Sequence, residues 1–278
     1  MNRFLLISLL CLFSVAQVSA QTQAQTRIFD SHLHYGAADA KHFTPQQVLA
    51  IFDRNKVEYA LISSTPNSGT EKLYHHNPER IIPFLGLYQS LKDKRDWMWN
   101  EEVIPRVEKA LEKGFYRGIG ELHIFAKDRK SPVLKRIVEI AAERNLFLQV
   151  HGDAEILEEI FSIAPNVTIL WAHLGTKPQP EFLQKVLQRF PQNLYIDTSV
   201  RDKQLLEAGK LTKEWRQLFI QNQDRFMVAV DTFSVNRWNT FDSVIKDIHT
   251  WLADLPPEVA DKLAYRNAYG LFFETLEK

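Results

Sequence analysis

Eight short apolar runs, each followed by a longer amphipathic stretch, predict a single-domain (β/α)8 barrel over residues 27–278. Most of these runs are continuously apolar rather than alternating, as expected for strands buried on both faces of a parallel sheet. The first run ends in His32-Leu-His34-Tyr-Gly, where an open doubly wound sheet would carry a glycine-rich phosphate loop. No linker, composition shift or internal repeat divides the chain.

The elements follow in order. The first strand is expected over Ile28–His32 and its helix over Thr44–Asn55, where Thr44-Pro45 places a cap residue before a proline at the first helical position. Val57–Ser63 is the second strand, with the shorter connection Gly69–Arg80 after it. Ile81–Tyr88 leads into a helix over Asp96–Lys113. Gly118–His123 leads into Ser131–Arg144, where Ser131-Pro132 repeats the helix-start signal. Leu146–His151 precedes Asp153–Ala164, and Val167–His173 precedes Pro180–Phe190. The seventh strand, Leu194–Thr198, precedes Leu205–Asn222. After the eighth, Phe226–Asp231, the helices Thr240–Leu252 and Pro257–Leu276 close the chain.

Ahead of the barrel, Met1-Asn2-Arg3 is a short basic start, Phe4 to Val15 is apolar, and Val18-Ser19-Ala20 is a small-residue cleavage site. This is the pattern of a secretory signal peptide over residues 1–20, and the apolar run is too short for a membrane anchor. Residues 21–26 read as a polar, disordered lead-in. Cleavage after Ala20 gives a secreted or periplasmic protein with no membrane anchor. It also removes Cys11, the only cysteine, so any metal must be held by His, Asp and Glu.

The remaining composition is that of a globular protein able to bury a large core without staples. Lys plus Arg equals Asp plus Glu, 34 against 34. Losing Arg3 with the leader leaves a net charge of about −1 and no basic stripe, which argues against nucleic acid as a partner. Small-molecule substrates are the expected ligands, and assembly into a homo-oligomer stays open.

Barrel enzymes carry their chemistry at the carboxyl ends of the strands. There this chain places His32 and His34, then Glu121 in Gly-Ile-Gly-Glu-Leu-His, His151 in Leu-Gln-Val-His-Gly, His173 in Leu-Trp-Ala-His-Leu-Gly, and Asp231 in Val-Ala-Val-Asp-Thr. Residues i and i+2 share a strand face, so His32 and His34 project together as half of a chelating pair. Each group alone has a structural explanation: an ion pair for Glu121, a hydrogen-bonded core position for His151 or His173, a helix cap for Asp231. Together they are polar groups whose burial without partners is costly, and one shared cation would satisfy all of them.

This pattern resembles the amidohydrolase superfamily of metal-dependent barrels, and most closely the amidohydrolase-related group that contains aminocarboxymuconate-semialdehyde decarboxylase. Asn193-Leu-Tyr-Ile-Asp-Thr-Ser and the closing Arg266-Asn-Ala-Tyr-Gly-Leu-Phe support the likeness, which spans residues 27–273. The resemblance implies that His32, His34, His151 and Asp231 hold one divalent ion, Zn2+ first, with Mn2+ or Fe2+ as alternatives. It leaves open one ion or two. In TatD-type hydrolases a strand-four glutamate, here Glu121, bridges two metals, and the strand-six histidine, here His173, binds the second. In the decarboxylase branch that histidine acts on substrate or water. His123 reads as structural.

The leading expectation is a hydrolase acting on an ester, lactone, amide or phosphoester, with Asp231 and His173 as catalytic groups. The alternative is non-oxidative decarboxylation of an aromatic or unsaturated acid, with Arg201 as a carboxylate clamp. A non-catalytic periplasmic metal binder is a third reading, weakened because six ligand-type residues exceed the four of a closed structural site. Loops over residues 63–70, 89–100 and 233–239 would set specificity, and Trp97, Trp99, Phe233 and Trp238 either line an apolar pocket or pack.

Overall fold

The computed structural model describes residues 26–274, so the expected leader over residues 1–20 lies outside the described residues, as does nearly all of the lead-in. The barrel strands are β1 (Ile28–His34), β2 (Val57–Ser63), β3 (Ile81–Leu85), β4 (Gly118–His123), β5 (Phe147–His151), β6 (Ile169–Trp171) and β7 (Leu194–Asp197). A small hairpin, β8 (Leu206–Glu207) with β9 (Lys210–Leu211), precedes the last barrel strand, β10 (Phe226–Met227). The sheet runs β1-β2-β3-β4-β5-β6-β7-β10 with every neighbouring pair parallel.

Individual hydrogen bonds join the last strand to the first. The Ser31 amide donates to the Val228 carbonyl at 3.2 Å, and the Asp231 amide donates to the His32 carbonyl at 2.8 Å. One rung higher, the His34 amide donates to Thr232 Oγ1 at 2.9 Å, and that hydroxyl donates back to the His34 carbonyl at 2.6 Å. This seam carries Asp231 to the side of the two leading histidines.

The strands are buried on both faces, as their continuous apolar runs require. Their outer faces pack on the helix ring to form the main core. Inside the amino-terminal mouth, Phe29, Leu61, Ile82, Phe84, Leu170 and Met227 meet Leu271 and Phe272 of the closing segment. Phe272 stacks on Phe29 at 5.6 Å and meets Phe147 edge-on at 4.8 Å. One mouth is thus plugged by apolar contacts, which leaves the carboxyl mouth for chemistry. Among the described residues no helix is long and apolar enough to cross a membrane.

Both predicted helix starts form. Thr44 makes a capping box with Gln47, and Ser131 Oγ accepts from the Leu134 amide at 3.0 Å. Four expectations need correction. The third, sixth and eighth strands end at Leu85, Trp171 and Met227, short of the expected Tyr88, His173 and Asp231. The helix expected over Asp96–Lys113 is a short turn, Trp97–Trp99, followed by a helix over Val103–Leu111. The one expected over Leu205–Asn222 begins only at Lys213, since Gly209 takes a φ of +76° in the β8–β9 turn. The final helix passes through wide π-turns at Lys262–Arg266 and Gly270–Glu274.

Candidate active site

Glu121 enters the mouth from β4 behind Gly120, whose φ is +147°. A Cβ on Gly120 would stand 2.5 Å from the Gln149 carbonyl oxygen, so the close approach of β4 to β5 there demands glycine. Two other groups are held in the left-handed region that non-glycine residues rarely adopt: His173 at φ 62° and Asp231 at φ 56°. Asp197 Oδ1 accepts the His173 amide at 3.1 Å, while the His32 carbonyl accepts that of Asp231 at 2.8 Å, and these bonds hold the two turns.

The six predicted site residues converge. His32 Nε2 and His34 Nε2 lie 3.3 Å apart. Glu121 reaches both, with Oε1 3.7 Å from His32 Nε2 and Oε2 3.5 Å from His34 Nε2. Asp231 Oδ1 lies 3.4 Å from His34 Nε2 and 4.0 Å from His32 Nε2. His173 Nε2 stands 3.1 Å from Glu121 Oε1 and 3.9 Å from Asp231 Oδ2. Donors bound to one zinc at about 2.1 Å in a tetrahedron are separated by about 3.4 Å, the middle of this range. Asp231 Oδ1 is buried with no hydrogen-bond partner, so the donor set fits a cation.

His151 stands to one side of this group. Its Nδ1 lies 2.9 Å from Glu121 Oε1, and it shares a three-donor cluster with Glu121 and His123 rather than with the β1 pair. The ligand set implied by resemblance, His32-His34-His151-Asp231, is therefore divided over two flanks of Glu121. His123, expected to be structural, also faces the cluster. Its Nε2 lies 2.7 Å from Glu121 Oε2 and 2.9 Å from Lys94 Nζ, because it shares the inward face of β4 with Glu121.

Outer contacts choose which nitrogen each ring presents. His34 Nδ1 donates to the Ser63 carbonyl at 2.9 Å, which leaves Nε2 for the centre. His32 Nδ1 donates to Asp197 Oδ2 at 3.0 Å, with the same result. His173 Nδ1 meets Ser199 Oγ at 2.7 Å, and that hydroxyl also donates to Asp197. Asp197 thus orients two rings at once. Its place in Asn193-Leu-Tyr-Ile-Asp-Thr-Ser had marked family likeness only, although the rule of polar residues at strand ends would have picked it out.

The electrostatics ask for positive charge. Burial pulls the His32 pKa down, but Asp197, Asp231 and Glu121 outweigh it and push the ring up to about 10. Burial raises Asp197, and the His32 charge and hydrogen bond more than reverse this, bringing it to about 2. Glu121 is held well below the usual range against its burial by His32, His123 and His151. A proton on His32 answers the carboxylates here, and a divalent ion answers them better.

A cavity of about 430 Å³ opens beside these donors, bounded by His34 and Glu121 on its inner side and by Tyr88, Leu91, Lys94 and Phe233 further out. Of the four loop aromatics, Phe233 alone lines it. Trp97 is buried with Nε1 donating to the His123 carbonyl, Trp238 is buried among Tyr35, Phe43, Phe52 and Phe241, and exposed Trp99 donates to Asp128. Arg201 is not in the cavity wall. Its Nε donates to the His173 carbonyl at 3.1 Å, and the cation in the wall is Lys94.

Known structures share this architecture. The chain is similar to an amidohydrolase from Burkholderia multivorans with bound HEPES at 13% identity and a TM-score of 0.57, covering 87% of this chain and 98% of that one. It is similar to a putative 2-pyrone-4,6-dicarboxylic acid hydrolase from Pseudomonas putida at 14% identity and a TM-score of 0.59, covering 90% and 98%. A phosphotriesterase homology protein from Escherichia coli, complexed with phosphate in its active site, aligns at 11% identity and a TM-score of 0.57, covering 90% and 99%. No curated protein matches in sequence. The amidohydrolase family profile matches residues 98–273, more than half of the chain, and with this profile, the barrel and the donor cluster in agreement, the chain is an enzyme of the amidohydrolase family.

Proposed function

We propose that this enzyme is a metal-dependent hydrolase of a small ester, lactone, amide or phosphoester. Its divalent ion, Zn2+ first and Mn2+ or Fe2+ next, is held among His32, His34, Glu121, His173 and Asp231. One observation carries the reading: Asp231 Oδ1 is buried, lacks a partner, and lies 3.4 Å from His34 Nε2. When bound, the ion supplies an acidified water and a Lewis acid for the substrate oxygen. Asp231 takes the water's proton on its carboxylate and delivers it to the leaving group. His173, whose Nδ1 faces the Ser199 hydroxyl, would offer its inward Nε2 as a donor to the ion. The cavity beside the donors seats the rest of the substrate, with Leu91 and Phe233 covering its apolar part.

Chelator treatment of the purified enzyme tests this. Turnover of a lactone and ester panel is expected to disappear and to return with Zn2+ or Mn2+, whereas activity surviving full demetallation rejects the proposal. Lactones head the panel because of the similarity to the pyrone dicarboxylic acid hydrolase. We further propose export to the periplasm or beyond, which the leader-like pattern of residues 1–20 supports; amino-terminal sequencing of exported protein should then begin at Gln21. Lys94 in the cavity wall supports the second reading, decarboxylation, since a carboxylate needs a cation there. Carbon dioxide release from aromatic or unsaturated acids would decide for it.

A further inference from the structure

Glu121 has donors on both flanks, so the cluster has room for two cation positions. The first is the group of His32, His34, Asp231 and His173 on one side of the carboxylate. The second lies between Glu121, His123 and His151, whose candidate ligand atoms fall within 4.8 Å of one another. On geometry alone this flank would take a second ion. Yet a cation already stands against it. Lys94 Nζ lies 2.9 Å from His123 Nε2, which itself lies 2.7 Å from Glu121 Oε2.

Lys94 is placed there by its surroundings. It extends from the turn Leu91–Arg95, which opens with the Ser90–Asp93 capping box, and its ammonium lies 5.6 Å from the centre of the Tyr88 ring. Tyr88 is tied to the same strand end, donating to the Glu121 carbonyl at 2.9 Å and accepting the His123 amide at 2.8 Å. Charge counting agrees. Three carboxylates face the histidine rings: Glu121, Asp197 and Asp231. One divalent ion and the Lys94 ammonium balance them. Two divalent ions beside that ammonium would leave an uncompensated double positive charge in a half-buried site.

We propose that the Lys94 ammonium is a built-in cation set against His123 Nε2, beyond ion-pair reach of Glu121, that keeps this ring from ligating, so that the centre takes one divalent ion. This rests on the metal-dependent reading above and settles its stoichiometry. It also assigns His123 as the residue that reports the exchange, since the imidazole facing Lys94 is a ligand once the lysine is gone.

The test is elemental analysis of metal per chain after saturation with Zn2+ or Mn2+ and gel filtration, with circular dichroism to confirm folding. Wild type should hold one equivalent, K94M and K94Q two, and the double variant K94M/H123A one again. Electron paramagnetic resonance of the Mn2+ forms should show an isolated ion in wild type and a spin-coupled pair in K94M. Two equivalents in wild type, or one in both single variants, overturns the role of Lys94 and leaves the hydrolase reading intact. No bound metal in any form overturns that reading and this inference together.

Discussion

Asp197 never enters the cavity, yet it holds His32 and His173 in the orientation the centre needs. Outer carboxylates of this kind contribute about 10–100-fold to metal affinity. Asp197→Asn should weaken Zn2+ binding by that factor in a competition with a chromogenic chelator, and unchanged affinity would count against the assignment. Asp231→Asn keeps the shape but loses the base, so kcat should fall by about 10²–10⁴ under metal saturation. A third residue bears on stability rather than chemistry. Burial raises the Asp202 pKa to about 6 from 3.8, despite the hydrogen bond from Trp251 Nε1. The folded state therefore holds a proton that the unfolded chain releases between pH 4 and 6. Its contribution, about 3 kcal/mol at most, is complete below the unfolded pKa and is lost as pH rises through the folded one. Urea unfolding at pH 4 and pH 7 should show this fall in wild type, reduced in Asp202→Asn.

At the scale of single elements, the end of β4 is the most constrained piece of backbone in the site. Gly120→Ala would drive a Cβ against the Gln149 carbonyl and move Glu121 away from both of its flanks. Metal content and turnover should fall together, and a variant with full metal occupancy would refute this role of β4. The closing helical segment is tested separately. Phe272 is fully buried against Phe29 and Phe147, so Phe272→Ala should cost about 3–5 kcal/mol in denaturant unfolding, with metal stoichiometry unchanged.

For the whole molecule, the proposed centre would link metal to fold, because its donors come from segments far apart in the chain: β1, β4 and the stretches after β6 and β10. An ion that binds only the folded barrel stabilises it by mass action, by about 2.7 kcal/mol at a hundredfold excess over Kd. In a chain of this size that corresponds to a rise in Tm of roughly 5–10 °C on adding back metal to stripped enzyme. A melting curve blind to metal would contradict the linkage.

The barrel and the strand-end positions of the six polar residues were legible because each depends on local signals: an apolar run, its length, and the polar residue that stops it. Thr44-Pro45 and Ser131-Pro132 marked real helix starts for the same reason. The β8–β9 hairpin was missed because Leu205–Asn222 keeps a helical pattern that the glycine turn interrupts. Trp97 and Trp238 could not be sorted from Phe233, since burial depends on neighbours supplied by other elements. The sequence by itself determined which groups stand at the strand ends, because side-chain alternation and strand length are properties of short segments. Only the tertiary structure decided that His151 and His123 flank Glu121 away from the β1 pair, that Asp197 aims two rings, and that Lys94 reaches the cluster. Those are distances between segments up to 200 residues apart, set by strand register and barrel closure, as the 200-residue separation of Val230 from the Asp30 carboxylate it bonds illustrates.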